Sequence, residues 1–173
     1  MISLQICNTQ PFYVYYAEGE AMGIAKSIQF KPINDHLTTS GAVTKEDIKQ
    51  LKSEGYGAVI NLLPDQHDKA LPNEKCIIES QGISYIHIPV EFSAPQVDEY
   101  ESFAVYLAAH RHEKVHVHCA ANWRVSAFYA IYAVEQGIWT YEQAGQFIDG
   151  IWDPGSFPAW KEFLGTRGLS LQV

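Results

Sequence analysis

The feature that most limits what this chain can fold into is an alternation running from about residue 40 onward. Short apolar runs are each followed by a segment with helical spacing. Ala58-Val-Ile-Asn-Leu-Leu63 stops at Pro64, Ile83-Ser-Tyr-Ile-His-Ile88 stops at Pro89, and Lys114-Val-His-Val-His118 stops at a polar turn. Runs of this length bounded by turn residues read as buried strands. Thr44 is placed to cap a helix through Ile48 and Leu51, with Asp47 completing a capping box and Gly55 or Gly57 ending it. A second helix is expected over Asn73–Gln81, stopped by Gly82. Asp98 is expected to cap a third over Glu99–His110, where Phe103, Tyr106, Leu107 and His110 recur at helical spacing. Further helices are expected from about Arg124 to Gln136, from Thr140, and from Pro158 to Leu164. Strands separated by helices predict an α/β fold with a mainly parallel central sheet of about 4–5 strands and helices on both faces. No repeat or linker interrupts the pattern. Residues 1–173 therefore read as one domain, with 1–36 as an N-terminal extension packed on it.

Charge limits the ligands. Twelve Lys and Arg against 20 Asp and Glu leave a formal charge of −8, and no dense basic run offers a face to nucleic acid. Cys7, Cys76 and Cys119 are too few for a disulfide framework. The first residues lack the basic and long apolar regions of a secretory signal, and no apolar run approaches the roughly 20 residues that span a bilayer. A cytoplasmic protein without membrane attachment is the expectation.

The chemistry concentrates after the third strand. In a parallel sheet, ligands bind beyond the carboxyl ends of the strands. Cys119 falls at such an end, just before a helix. The unpaired amides of a helix N-terminus favour a thiolate over a thiol and bind oxyanions. Arg124 offers a planar fork for two phosphate oxygens, and Ser126, one turn into the helix, a hydroxyl near the sulfur. A lone buried cysteine is usually packing, but the four residues His118, Cys119, Arg124 and Ser126 together point to a nucleophile in an anion cradle.

His118-Cys119-Ala-Ala-Asn-Trp-Arg124-Val-Ser126 resembles the signature loop of the cysteine-dependent protein tyrosine and dual-specificity phosphatases. Leu37-Thr-Thr-Ser-Gly41, Gly57 to Asp65, His87 to Pro95 and Ile151-Trp-Asp-Pro154 fall in the order seen in a little-characterised bacterial phosphatase-like branch. The similarity covers roughly residues 33–164. It implies that Cys119 attacks phosphorus to give a phosphocysteine intermediate. The amides of Ala120, Ala121, Asn122, Trp123 and Arg124, with the Arg124 side chain, would hold the phosphoryl oxygens. Ser126 would ease departure of the thiolate, and His118 would orient the loop and tune the cysteine. No metal and no cofactor are implied. The expected partners are a phosphorylated protein or small molecule, with inorganic phosphate or sulfate able to occupy the loop.

The chain departs from that pattern. Four residues, not five, separate Cys119 from Arg124, Asn122 stands where the family has glycine, and Val125 takes the place expected of arginine. Either the loop is one residue shorter or the arginine has moved back one step, which turns a helical side chain by roughly 100°. Two carboxylates are candidates for the general acid. Glu91 lies 28 residues before Cys119 on a Pro-flanked loop and matches the acid position of the resemblance, whereas Asp65 follows an earlier strand end. Asp153 in Trp152-Asp-Pro154 reads as part of a turn between helices. His110, His112, His116 and His118 lack carboxylate or thiol partners at metal-ligand spacing. The cluster Phe12-Tyr-Val-Tyr-Tyr16 reads as packing.

Three functions fit. The first is a phosphomonoester hydrolase, the second a rhodanese-like sulfurtransferase for which a six-residue Cys-to-Arg loop is suited, and the third a catalytically impaired anion-binding module.

Overall fold

The computed structural model describes residues 23–169. Strands β1 (Lys31–Asn34) and β2 (Leu37–Ser40) form an antiparallel hairpin. Helix α1 (Lys45–Ile48) leads to β3 (Tyr56–Asn61), α2 (Glu74–Glu79) to β4 (Ser84–His87), and α3 (Val97–Ala109) to β5 (Lys114–His118). Helices α4 (Trp123–Glu135), α5 (Tyr141–Asp149) and α6 (Pro158–Thr166) follow. The sheet order is β1-β2-β5-β3-β4, and β2, β5, β3 and β4 are mutually parallel. The expected α/β architecture is therefore the observed one.

Local sequence explains most element ends. Thr44 and Asp47 form the expected capping box, the Thr44 amide donating to the Asp47 carboxylate at 3.0 Å and the Asp47 amide to Thr44 Oγ1 at 3.2 Å. Thr140 caps α5 in the same way with Gln143. Gly55 turns the chain into β3 at φ 85°, a backbone region that glycine enters without Cβ strain. Two expectations are corrected. The first helix is a single turn, because residues 49–55 run on as turns. Asp98 is not the cap of α3: Gln96 is, and its amide donates to the Glu99 carboxylate at 2.8 Å. Asp153 caps a short 3-10 turn at Pro154–Ser156 between α5 and α6, as the turn reading required.

The sheet separates two apolar clusters. The larger packs Val115, Val117, Ala58 and Ile60 against Phe103, Phe128, Ile131 and Trp160. The smaller packs Val59 and Tyr56 against Ile24, Ile48, Leu51 and Ile78. Of the N-terminal extension, Ile24 is buried in the smaller cluster and β1 forms the sheet edge. Residues 1–22, with the aromatic cluster at 12–16 and Cys7, lie outside the described residues. Register lines up Ser40, His118, Asn61 and His87 across the carboxyl end of the sheet.

Candidate active site

Cys119 follows β5 directly and is fully buried. It continues the face of Val115 and Val117 and belongs to the larger apolar cluster. Its amide donates to the Ser40 carbonyl at 3.3 Å. The next residues run close beside β2's exit, where Ala42 donates to the Ala120 carbonyl at 3.0 Å. Gly41 permits this approach: a Cβ there would stand 2.7 Å from the Ala120 oxygen and 2.9 Å from the Ala121 Cα. Asn122 adopts φ 65°, the left-handed conformation that asparagine tolerates. Its side-chain amide donates to the Gln29 carbonyl at 2.8 Å and to Thr39 Oγ1 at 3.0 Å, which fixes the turn. Helix α4 starts at once, so the Trp123, Arg124 and Val125 amides lie in the first turn, where no intrahelical acceptor exists.

The one-residue departure now has a geometry. Val125, in the place expected of arginine, is fully buried in the core. Arg124 is buried too and turns toward the loop after β4. Its Nε donates to the Val90 carbonyl at 2.8 Å, and its guanidinium stands 5.1 Å from the Phe92 ring centre. The terminal nitrogens of the fork have no protein acceptor among the described residues. Trp123 stacks on Trp152 at 5.2 Å and 5°. Ser126 differs from expectation. Its hydroxyl donates to the Trp123 carbonyl at 2.9 Å and accepts from Trp152 Nε1 at 3.0 Å, so its one hydrogen is not directed at the sulfur.

The two acid candidates are held differently. Glu91 is exposed, and its own flanking peptides are anchored: Val90 by Arg124, and Phe92 by Trp160 Nε1 at 2.8 Å. The Val90 amide also donates to the Leu62 carbonyl at 3.2 Å. Asp65 is exposed and stands 3.8 Å from His87 Nδ1. Arg124 thus joins the signature loop to the loop carrying Glu91 and makes no such link to Asp65.

Beneath the loop lies a polar floor that sequence reasoning missed. His118 donates from Nε2 to Glu74 Oε1 at 2.8 Å, and both residues are buried. Asn61 donates to both Glu74 oxygens, at 3.2 and 3.3 Å, and to Tyr85 Oη at 3.1 Å. Burial pushes the Glu74 carboxyl up, but the His118 charge and hydrogen bonds from His118 and Tyr85 outweigh it and hold the carboxyl below its ordinary range. Burial and the Glu74 charge push the Tyr85 hydroxyl up. Beside it, burial drives His116 well below the ordinary imidazole value, so the ring is neutral. Ser40 gives its hydrogen to the Gly41 carbonyl at 2.9 Å, which makes His116 Nε2 the donor to Ser40 at 3.0 Å. His116 Nδ1 must then accept from Thr38 Oγ1 at 2.8 Å, and Thr38 from Tyr56 Oη at 2.8 Å. Among the described residues no group of three His, Cys, Asp or Glu side chains could hold a metal ion. No described helix is long and apolar enough to cross a membrane.

The same architecture occurs in solved phosphatase structures. A candidate phosphatase from Shewanella putrefaciens CN-32 is 29% identical, with 85% of this chain and 93% of that chain covered at a TM-score of 0.76. A cysteine-to-serine form of P. aeruginosa TpbA in complex with phosphotyrosine is 17% identical, with 78% and 82% covered at a TM-score of 0.62. Kinase-associated phosphatase with its catalytic cysteine replaced by serine is 16% identical, with 78% and 89% covered at a TM-score of 0.63. The last two show the fold alone. No curated protein matches the chain. A family model described as DSP-PTPase phosphatase fused to NAD+ kinase matches residues 6–148, and the chain belongs to that phosphatase family.

Proposed function

We propose that the protein is a cysteine-dependent phosphomonoester hydrolase acting on a phosphorylated protein or small molecule. The observation that carries this reading is the joint made by Arg124, which ties the loop after Cys119 to the loop that presents Glu91. In the first step the Cys119 thiolate attacks phosphorus, the P–O bond breaks, and Glu91 gives its proton to the leaving oxygen. In the second, water attacks the phosphocysteine, Glu91 takes a proton from it, and the P–S bond breaks to release phosphate and thiolate. The first-turn amides of α4 and the free fork of Arg124 stabilise the charge that gathers on the phosphoryl oxygens. The net charge of −8 favours small or locally basic substrates over extended polyanions.

Turnover of p-nitrophenyl phosphate across pH 5–8 tests the reading. Cys119→Ser is expected to lose at least about 1,000-fold in kcat, and Glu91→Gln about 100-fold. Equal turnover by the Cys119→Ser variant refutes it. The burial of Cys119 favours a second reading, an anion-binding module without turnover. Vanadate or phosphate binding that Arg124→Ala weakens, with no hydrolysis in the parent chain, would select it.

A further inference from the structure

The strongest unassigned feature is the buried carboxylate at the start of α2. Glu74 is 5% exposed and lies 44 residues from His118 in sequence, yet its oxygen receives the imidazole at 2.8 Å. A charge so buried is retained only where partners compensate for lost water. The groups that face it are His118 from β5, Asn61 from β3, and Tyr85 and His87 from β4. No Lys or Arg forms an ion pair with it among the described residues. The His118 ring also stacks on His116 at 5.9 Å, and its Nδ1 is buried without a hydrogen-bond partner.

We propose that Glu74 is a positioning residue that holds His118 as an imidazolium immediately before Cys119. Glu74 meets the ring at Nε2, the nitrogen farther from the main chain, so the positive charge lies nearer the strand end than the negative one. That orientation favours a thiolate at Cys119, because a neighbouring imidazolium stabilises the charged form of sulfur. His116 cannot do the same, since both its nitrogens are occupied by Thr38 and Ser40 in a neutral ring. The proposal rests on Cys119 being the nucleophile.

The test measures ultraviolet thiolate absorbance against pH in a Cys7→Ser, Cys76→Ser background, with Cys119→Ser as the blank. Glu74→Gln keeps the size and an acceptor for His118 Nε2 but removes the charge. It is expected to lower the thiolate fraction at about pH 6.5 by about fivefold, and to lower kcat on p-nitrophenyl phosphate on the acid side more than on the alkaline side. A merely structural role would lower the melting temperature and leave that fraction unmoved. If Glu74→Gln does not fold, His118→Asn is read in the same way and should show the same loss. An unchanged thiolate fraction in the folded variant overturns the assignment of Glu74 and leaves Cys119 as nucleophile. Absence of a Cys119 thiolate signal in the parent at about pH 6.5, together with no turnover, overturns both.

Discussion

The two faces of β5 use opposite means to support one loop. Val115, Val117 and Cys119 point into the larger cluster, a dry layer of aromatic rings from α3, α4 and α6. His116 and His118 point to the other side, where the Thr38 and Ser40 hydroxyls hold both nitrogens of His116 and the Glu74 carboxylate holds Nε2 of His118. On the apolar face the energy comes from area removed from water and from close packing. On the polar face it comes from hydrogen bonds between buried groups, where removing a partner strands the group left behind. The first face fixes where α4 stands and the second fixes the hydrogen-bond network beneath its start.

Breaking the apolar face should cost most stability. Trp160 is fully buried, packs on Phe92, Phe128, Trp152 and Phe163, and anchors the Phe92 carbonyl. Trp160→Ala is expected to lose about 3–5 kcal/mol in denaturant unfolding. Arg124 belongs to neither face but spans the loops above both. Arg124→Ala should lower kcat/KM for an aryl phosphate about 100-fold, near 2.7 kcal/mol, and Arg124→Lys should not restore it, since an ammonium lacks the planar fork. The polar face answers to pH. His116 is neutral when folded and takes a proton more readily when unfolded, so the unfolded chain binds more protons. Its contribution is complete above about pH 6.5 and falls below that by about 1.4 kcal/mol per unit. Melting temperatures from pH 7 to 5 should show this fall, and His116→Asn should flatten it. Thr44→Ala, remote from both faces, should cost about 1 kcal/mol through loss of its cap and leave kinetics unchanged.

Features governed by neighbours in sequence were legible beforehand. Alternation gave β5 its observed bounds, Lys114–His118, and short-range side-chain bonds placed the caps at Thr44 and Thr140. Asn122, standing where the family has glycine, adopts the left-handed backbone that asparagine tolerates. The directions of Arg124 and Ser126 were not legible. Val90 is 34 residues from Arg124, and Trp152 is 26 from Ser126, so packing of distant loops decides both. Glu74 gave no signal, because a glutamate opening a short helix looks like ordinary surface until β5 is laid against it. The resemblance to phosphatases supplied the family, and the family match agrees with it.

The seclusion of Cys119 also ranks the thiols toward oxidants. Cys76 is exposed on α2, whereas Cys119 has no solvent-facing surface. Peroxide in bulk water meets Cys76 before Cys119, since sulfenic acid formation follows accessibility as well as thiolate character. Any opening that admits a phosphoryl group to Cys119 admits peroxide by the same route. Resistance to oxidative damage at this sulfur then rests on its burial.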